Sequence, residues 1–189
     1  MDPFRDALTA HQEVIASLGS LRTEFDRLAQ QCVGAIRAGG RLLWAGNGGS
    51  AADCQHLAAE LVGRFQHERS ALPAIALTTD SSILTAVAND YGFEQTFARQ
   101  IEAIGRPGDV LIAISTSGNS HNILLGLEKA ADLGLFRTAW TGETGGAALT
   151  RADVCLRVQS SNTARIQEAH ILLGHMLCER IETDFAQSA

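Results

Sequence analysis

Three groups of residues in this 189-residue chain have the types and spacing for chemistry. His56 and Glu60 are four residues apart, so on a helix they share one face and form an imidazole–carboxylate pair. Gln167 and His175 fall in a segment of helical periodicity, about 80° apart around its axis, and can converge on one region. Two imidazoles, a carboxylate and an amide oxygen make a donor set that zinc accepts. A helical His and Glu at this spacing also make ordinary surface hydrogen bonds, so each pair alone says little. His11, His67, His121 and His170 have no such company and read as structural or surface residues.

The second group is Gly46-Asn47-Gly48-Gly49-Ser50-Ala51, directly ahead of the helix bearing His56 and Glu60. Its glycines allow positive φ and close backbone approach, and a helix start offers N–H groups to an anion or a sugar oxygen. The spelling also fits G-x-G-x-x-A, the fingerprint of a dinucleotide site. The acid expected about 20 residues later, at the end of the next strand, is missing: the count lands near Gln66–Glu68, ahead of that strand. The third group, Ser115-Thr116-Ser117-Gly118-Asn119-Ser120, follows an apolar strand and runs into a helix. Hydroxyls at 115, 116, 117 and 120 with the N–H groups of a helix start can neutralise a phosphate monoester without lysine. An N-capping serine in a polar turn would account for Ser120 alone. The G-x-x-x-x-G-K-[ST] loop of nucleotide triphosphatases does not occur.

The elements that must position these groups alternate short apolar runs with helical segments, as parallel strands covered by helices on both faces do. Strands are expected at Arg41–Ala45, Ala74–Thr78, Asp109–Ile114, Thr138–Thr141 and Val154–Val158. Helices are expected near Ser50–Phe65, Ser81–Ala88, Glu94–Ile104 and Ser120–Leu133, with a short one at Gly146–Leu149 and a long final one at Thr163–Asp184. This is an α/β fold, a doubly wound five-stranded parallel sheet with ligands at the carboxyl ends of its strands. Two further helices precede it, through Phe4, Leu8, His11, Ile15 and Leu18, and through Leu21, Phe25, Leu28, Cys32 and Ile36, with a break at Gly19-Ser20. A sheet covered on both faces leaves them little surface, which points to packing against another subunit.

Composition bounds the function. A chain of this length, 46% apolar, builds one domain over residues 1–189. No run approaches the roughly 18 apolar residues of a membrane helix, and the start lacks a basic stretch followed by an apolar one, so a cytoplasmic protein with no membrane association is expected. A net charge of −6 with scattered arginines and a single lysine, Lys129, argues against nucleic acid as a partner. Cys32, Cys54, Cys155 and Cys178 form no CxxC pair and read as buried reduced thiols.

Taken together, Gly46-Asn47-Gly48-Gly49-Ser50, His56-x-x-x-Glu60, Asn89-Asp90, Ser115-Thr116-Ser117-Gly118-Asn119-Ser120 and Arg165-Ile166-Gln167-Glu168 with His175 closely resemble, in order and spacing, the phosphoheptose isomerase family of the sugar isomerase (SIS) domain superfamily. The resemblance spans essentially the whole chain. It implies conversion of sedoheptulose 7-phosphate to D-glycero-D-manno-heptose 7-phosphate through an enediol, at the entry to bacterial heptose synthesis for lipopolysaccharide. It implies Glu60 and His175 as the acid–base pair and zinc on His56, Glu60, Gln167 and His175. Ser115, Thr116, Ser117 and Ser120 match its phosphate loop. Asn47, Asn89, Asp90 and Gln167, with Gly48, Gly49, Glu60 and Arg64, match substrate-contacting positions. It further implies a homotetramer with sites built from neighbouring subunits, residues 1–38 lying in the interface. One departure stands out: Ala164 occupies a position that is acidic in some members.

Other readings compete. A sister group of the superfamily binds the replication initiator protein as a non-catalytic adaptor and carries residues such as serine and asparagine where this chain has Glu60 and His175. A nicotinamide-dependent oxidoreductase leaves the serine–threonine loop and the four candidate ligands unexplained. Isomerisation of a pentose or hexose phosphate remains open, because nothing in loop composition measures carbon count.

Overall fold

The structure, a computed structural model, describes residues 2–186. Five short strands, β1 (Leu42–Gly46), β2 (Ala74–Ala76), β3 (Val110–Ile114), β4 (Phe136–Thr141) and β5 (Val154–Arg157), pair in the order β2-β1-β3-β4-β5, all parallel. β1 and β3 are buried along their whole length, as expected of strands sandwiched between helices, and this explains their continuous apolar runs. Among the described residues, seven α-helices surround the sheet: α1 (Pro3–Ser17), α2 (Arg22–Arg37), α3 (Gly49–Val62), α4 (Ser81–Tyr91), α5 (Thr96–Ile104), α6 (His121–Asp132) and α7 (Thr163–Ala186). Among the described residues, no helix is long and apolar enough to cross a membrane.

Because successive strand side chains point to opposite faces, each strand feeds two cores. Leu42, Trp44, Val110, Ile112, Ile114 and Trp140 pack with α2, α3 and α7. Leu43, Ala45, Leu111, Ala113 and Ala139 pack with α5 and α6 through Phe97, Ile101, Ile123 and Leu127. Cys32, Cys54 and Cys178 lie buried in the first core, where burial pushes their thiols up and keeps them protonated; all four cysteines are free.

The expected elements all form, with shifts at their ends. β2 stops at Ala76, α3 stops at Val62, and the expected helix from Glu94 begins as a 3-10 turn at Phe93–Gln95. The break at Gly19-Ser20 is a 3-10 turn over Leu18–Leu21. One expectation changes. α2 is not surplus: Phe25, Leu28, Ala29, Cys32, Val33 and Ile36 form its buried stripe against the chain's own sheet and α7. Of the two N-terminal helices, α1 lies outside this layer. It buries Val14 and leans on α7, leaving Phe4 76% and Leu8 49% exposed.

Strand order places the site. β1 leads into α3 on one face and β3 into α6 on the other, so the connections after these neighbouring strands diverge and open a crevice at their carboxyl ends.

Candidate active site

Both motif loops meet at this crevice. In the first, Gly48 has φ +57°, a conformation that side chains with a Cβ rarely adopt, and it is the residue that turns β1 into α3. Asn47 exchanges two hydrogen bonds with the buried Asn122 in the first turn of α6, each amide nitrogen donating to the other's oxygen at 2.9 and 2.8 Å. That reciprocal pair ties the two loops together. Gly49 lies under the Gln167 side chain: a Cβ there would stand 2.6 Å from its amide nitrogen, so any larger residue would push that amide aside.

In the second loop, Ser115 and Ser120 hydroxyls share a hydrogen bond of 3.0 Å, and Ser117 Oγ accepts from the Asn119 N–H. Gly118, at φ +65°, is wedged against the carbonyl of Gly145, where any Cβ would collide. The loop then enters α6 with Ser120 as its N-cap. A cavity of about 300 Å3 opens beside it, lined by Thr116, Ser117, Asn119, Glu143, Thr163 and Ile166 among others. Its polar wall and the adjoining helix start suit an anion.

The candidate acid–base group lies between α3 and α7. His56 Nε2 and His175 Nε2 are 2.8 Å apart, and His56 Nε2 is 3.5 Å from Glu60 Oε1. The His56 side chain is 47% exposed and that of Glu60 22%. One face of the His175 ring is covered by Phe65, stacked at 5.5 Å between centroids with 22° between planes. Asp53, one turn before His56, has its carboxyl raised by burial, with His56 opposing the shift, and one of its oxygens has no partner.

The donor types suit zinc, and three of them converge. The two imidazole nitrogens stand closer than the roughly 3.3 Å expected for two nitrogens on one tetrahedral zinc. As placed, no group of three His, Cys, Asp or Glu side chains among the described residues forms a ready metal cage. The set therefore fits zinc in chemistry, with the imidazoles having to separate slightly to receive it.

Other expected site residues stay outside these contacts. Asn89 donates to Asp90 at the exposed end of α4, and Arg64 pairs with Glu68 at 3.8 Å. Neither they nor Gln167 hydrogen-bond to the His56–Glu60–His175 group among the described residues. His11, given no partner by the sequence, meets Glu168 at 2.7 Å and helps dock α1 on α7. His170 is fully buried, its Nε2 bonded to the Thr141 carbonyl and its Nδ1 without a partner; burial lowers it to about 4. Sequence reasoning missed Asn122, Phe65 and the Glu143, Thr163 and Ile166 wall of the cavity. Asn122 sits just past the Ser115–Ser120 loop, yet nothing in the spelling marks it as the partner of Asn47.

Fold and site together define a sugar-isomerase-type domain, and the SIS domain family model matches residues 4–142, which hold both loops, His56 and Glu60. Similarity to curated proteins extends through Gln167 and His175. The phosphoheptose isomerase of Paramagnetospirillum magneticum is 54% identical over 176 residues, 93% of this chain and 92% of that protein. Two solved phosphoheptose isomerases superpose closely. The Neisseria gonorrhoeae structure has a TM-score of 0.86 at 43% identity, covering 95% of each chain, and the Francisella tularensis structure 0.88 at 42%, covering 95% and 94%. The chain belongs to the SIS domain family and, within it, to the phosphoheptose isomerases. It is an enzyme, and the adaptor reading is not favoured.

Proposed function

We propose that this enzyme interconverts sedoheptulose 7-phosphate and D-glycero-D-manno-heptose 7-phosphate, with Glu60 and His175 as its acid–base pair. The observation that carries this reading is the course of α7. One helix lines the anion cavity with Ile166, covers the glycine loop with Gln167 and brings His175 against His56. A substrate held by its phosphate at residues 115–120 would extend along that helix toward the carboxylate and imidazoles.

The chemistry then follows. A base takes the proton from C1 of the ketose, giving a 1,2-enediol; a proton returns to C2, and the hydroxyl proton passes from O1 to O2. The Glu60 carboxylate suits the carbon proton and the His175 imidazole the oxygens. Asn47 and Gln167 supply amide groups to orient the sugar, and Ser115, Thr116, Ser117 and Ser120 hold the phosphate. Arg64, Asn89 and Asp90 belong to the same proposal as sugar contacts. Zinc held by His56, Glu60, Gln167 and His175 would polarise the carbonyl and enediol oxygens.

The same reading includes a homotetramer with sites at subunit interfaces, a cytoplasmic location and a place at the start of heptose synthesis for lipopolysaccharide. The exposed Phe4 and Leu8 of α1 and the half-exposed His56 support subunit contacts around the site. A monomeric mass by light scattering would remove the tetramer.

The test is NMR of purified protein with sedoheptulose 7-phosphate, with and without zinc. Anomeric signals of the aldoheptose phosphate are expected; their absence would reject this substrate. His56→Ala is expected to lower zinc content after dialysis, and unchanged content would reject the metal site.

A further inference from the structure

A buried ion pair lies behind the acid–base group and has no part in the proton transfers described above. Glu182, on α7 two turns beyond His175, is 0% exposed, and the Arg69 side chain is 1% exposed. A charge at that depth persists only where it is paired and hydrogen-bonded. Glu182 is supplied on all sides. Its Oε1 accepts from the Phe65 N–H at 2.9 Å, and its Oε2 accepts from Gln66 at 2.7 Å and His67 at 2.9 Å. Arg69 Nε lies 3.4 Å from Oε1, off the line of a hydrogen bond. Burial raises the Glu182 carboxyl, but the three N–H groups and Arg69 outweigh it and hold the group below its ordinary range.

Arg69 uses its remaining donors on the end of α3. Its Nη2 donates to the Glu60 carbonyl at 2.9 Å, and its Nη1 to the carbonyls of Leu61, Gly63 and Ser70. Carbonyls left open at a helix terminus are thereby satisfied by a guanidinium, at the residue that bears the candidate base. The segment that Glu182 grips starts with Phe65, whose ring stacks on His175. One buried pair thus touches the backbone of Glu60 and the aromatic cover of His175.

We propose that Glu182 and Arg69 are positioning residues for the isomerisation: they fix residues 65–67 so that the Phe65 ring holds the His175 imidazole toward His56 and Glu60. The inference rests on the acid–base reading above. Neither charge reaches the substrate; the pair acts through Phe65 and through the Glu60 main chain. A site built this way needs its supporting layer, because small misplacement of a reacting group costs rate steeply.

The experiment compares Phe65→Leu, Phe65→Tyr, Glu182→Gln and Glu60→Gln in the full chain. Each is read by kcat and KM per folded protein, by thermal unfolding and by the carbon-bound imidazole proton signals of His175 in NMR. Phe65 is only partly buried, so Phe65→Leu tests the idea even where Glu182→Gln fails to fold. Expected for Phe65→Leu are a kcat lowered about ten-fold, a KM within about two-fold, and His175 signals shifted downfield as ring shielding is lost. Phe65→Tyr is expected to restore all three. Folded Glu182→Gln should shift the same His175 signals, and combining it with Phe65→Leu should lower kcat no further than the worse single variant. Unchanged kcat and His175 signals in Phe65→Leu, or multiplicative losses in the double variant, would overturn the inference. Turnover retained by Glu60→Gln would instead remove the acid–base reading, and this inference with it.

Discussion

The proposed phosphate cradle and the proposed acid–base group occupy the same end of the sheet but are built in opposite ways. The cradle is a continuous loop, residues 115–120, held by close internal contacts: Ser115 to Ser120, Asn47 to the buried Asn122, Gly118 against Gly145. The acid–base group is assembled from residues 119 positions apart, and its His56 side chain is half exposed. Its rigidity comes from behind, through Glu182, Arg69 and Phe65. The proposed binding geometry is thus set by a strand end and a helix start, whereas the proposed reacting geometry depends on how two helices are locked together.

Substitutions should separate the two. Glu60→Gln keeps the shape but removes the base, so turnover is expected to fall by about a thousand-fold while calorimetry still detects substrate binding. Loss of binding as well would mean that the two regions are not separable. Acid should act on the joint between them, because His170 on α7 bonds to Thr141 at the end of β4. Unfolded, His170 takes a proton below its ordinary 6.5; folded, it stays neutral down to about 4. Its contribution is therefore complete above pH 6.5 and lost as pH falls from 6.5 to 4, an effect on the order of 3 kcal/mol. Melting temperatures of His170→Gln should vary less over that range than those of the parent. An equal slope would show that other groups carry the acid sensitivity; Glu182, whose carboxyl is held low, adds to the loss from its ordinary 4.5 downward.

Smaller effects sharpen the cradle side. Asn122→Ala leaves the Asn47 amide without its partner in a part-buried position and should cost about 2 kcal/mol of stability while raising KM. Gly118→Ala puts a Cβ against the Gly145 carbonyl at positive φ and should cost at least about 1 kcal/mol, with KM rising more than kcat falls. A change confined to kcat in either variant would place the loop in the chemistry rather than in binding.

Much of the fold could be read from apolar patterning. All five strands and the main helices stand where alternation of short apolar runs and helical segments puts them, because full burial of a parallel strand demands a continuous apolar run. Ends moved by a few residues where a cap or a tertiary bond decides. α3 stops at Val62, short of Phe65, because residues 65–67 give their N–H groups to Glu182 instead of to a helix. The patterning alone leaves α2 without a place on the sheet, whereas the structure packs it there, since a list of elements does not reveal how much of each sheet face they cover.

Within the site, the loops and the His56–Glu60 pairing were legible because their spacing acts locally, through a turn or one helical repeat. Sequence determined that two loops at strand ends could receive an anion and that an imidazole and a carboxylate would share a helix face. Only the tertiary structure decided which distant groups meet them: Asn122 with Asn47, His175 with His56, Glu182 with residues 65–67, His170 with Thr141. Those contacts follow from how helices from different parts of the chain pack on the sheet. Side-chain periodicity specifies which face of a helix is buried, but not which residue it will find there.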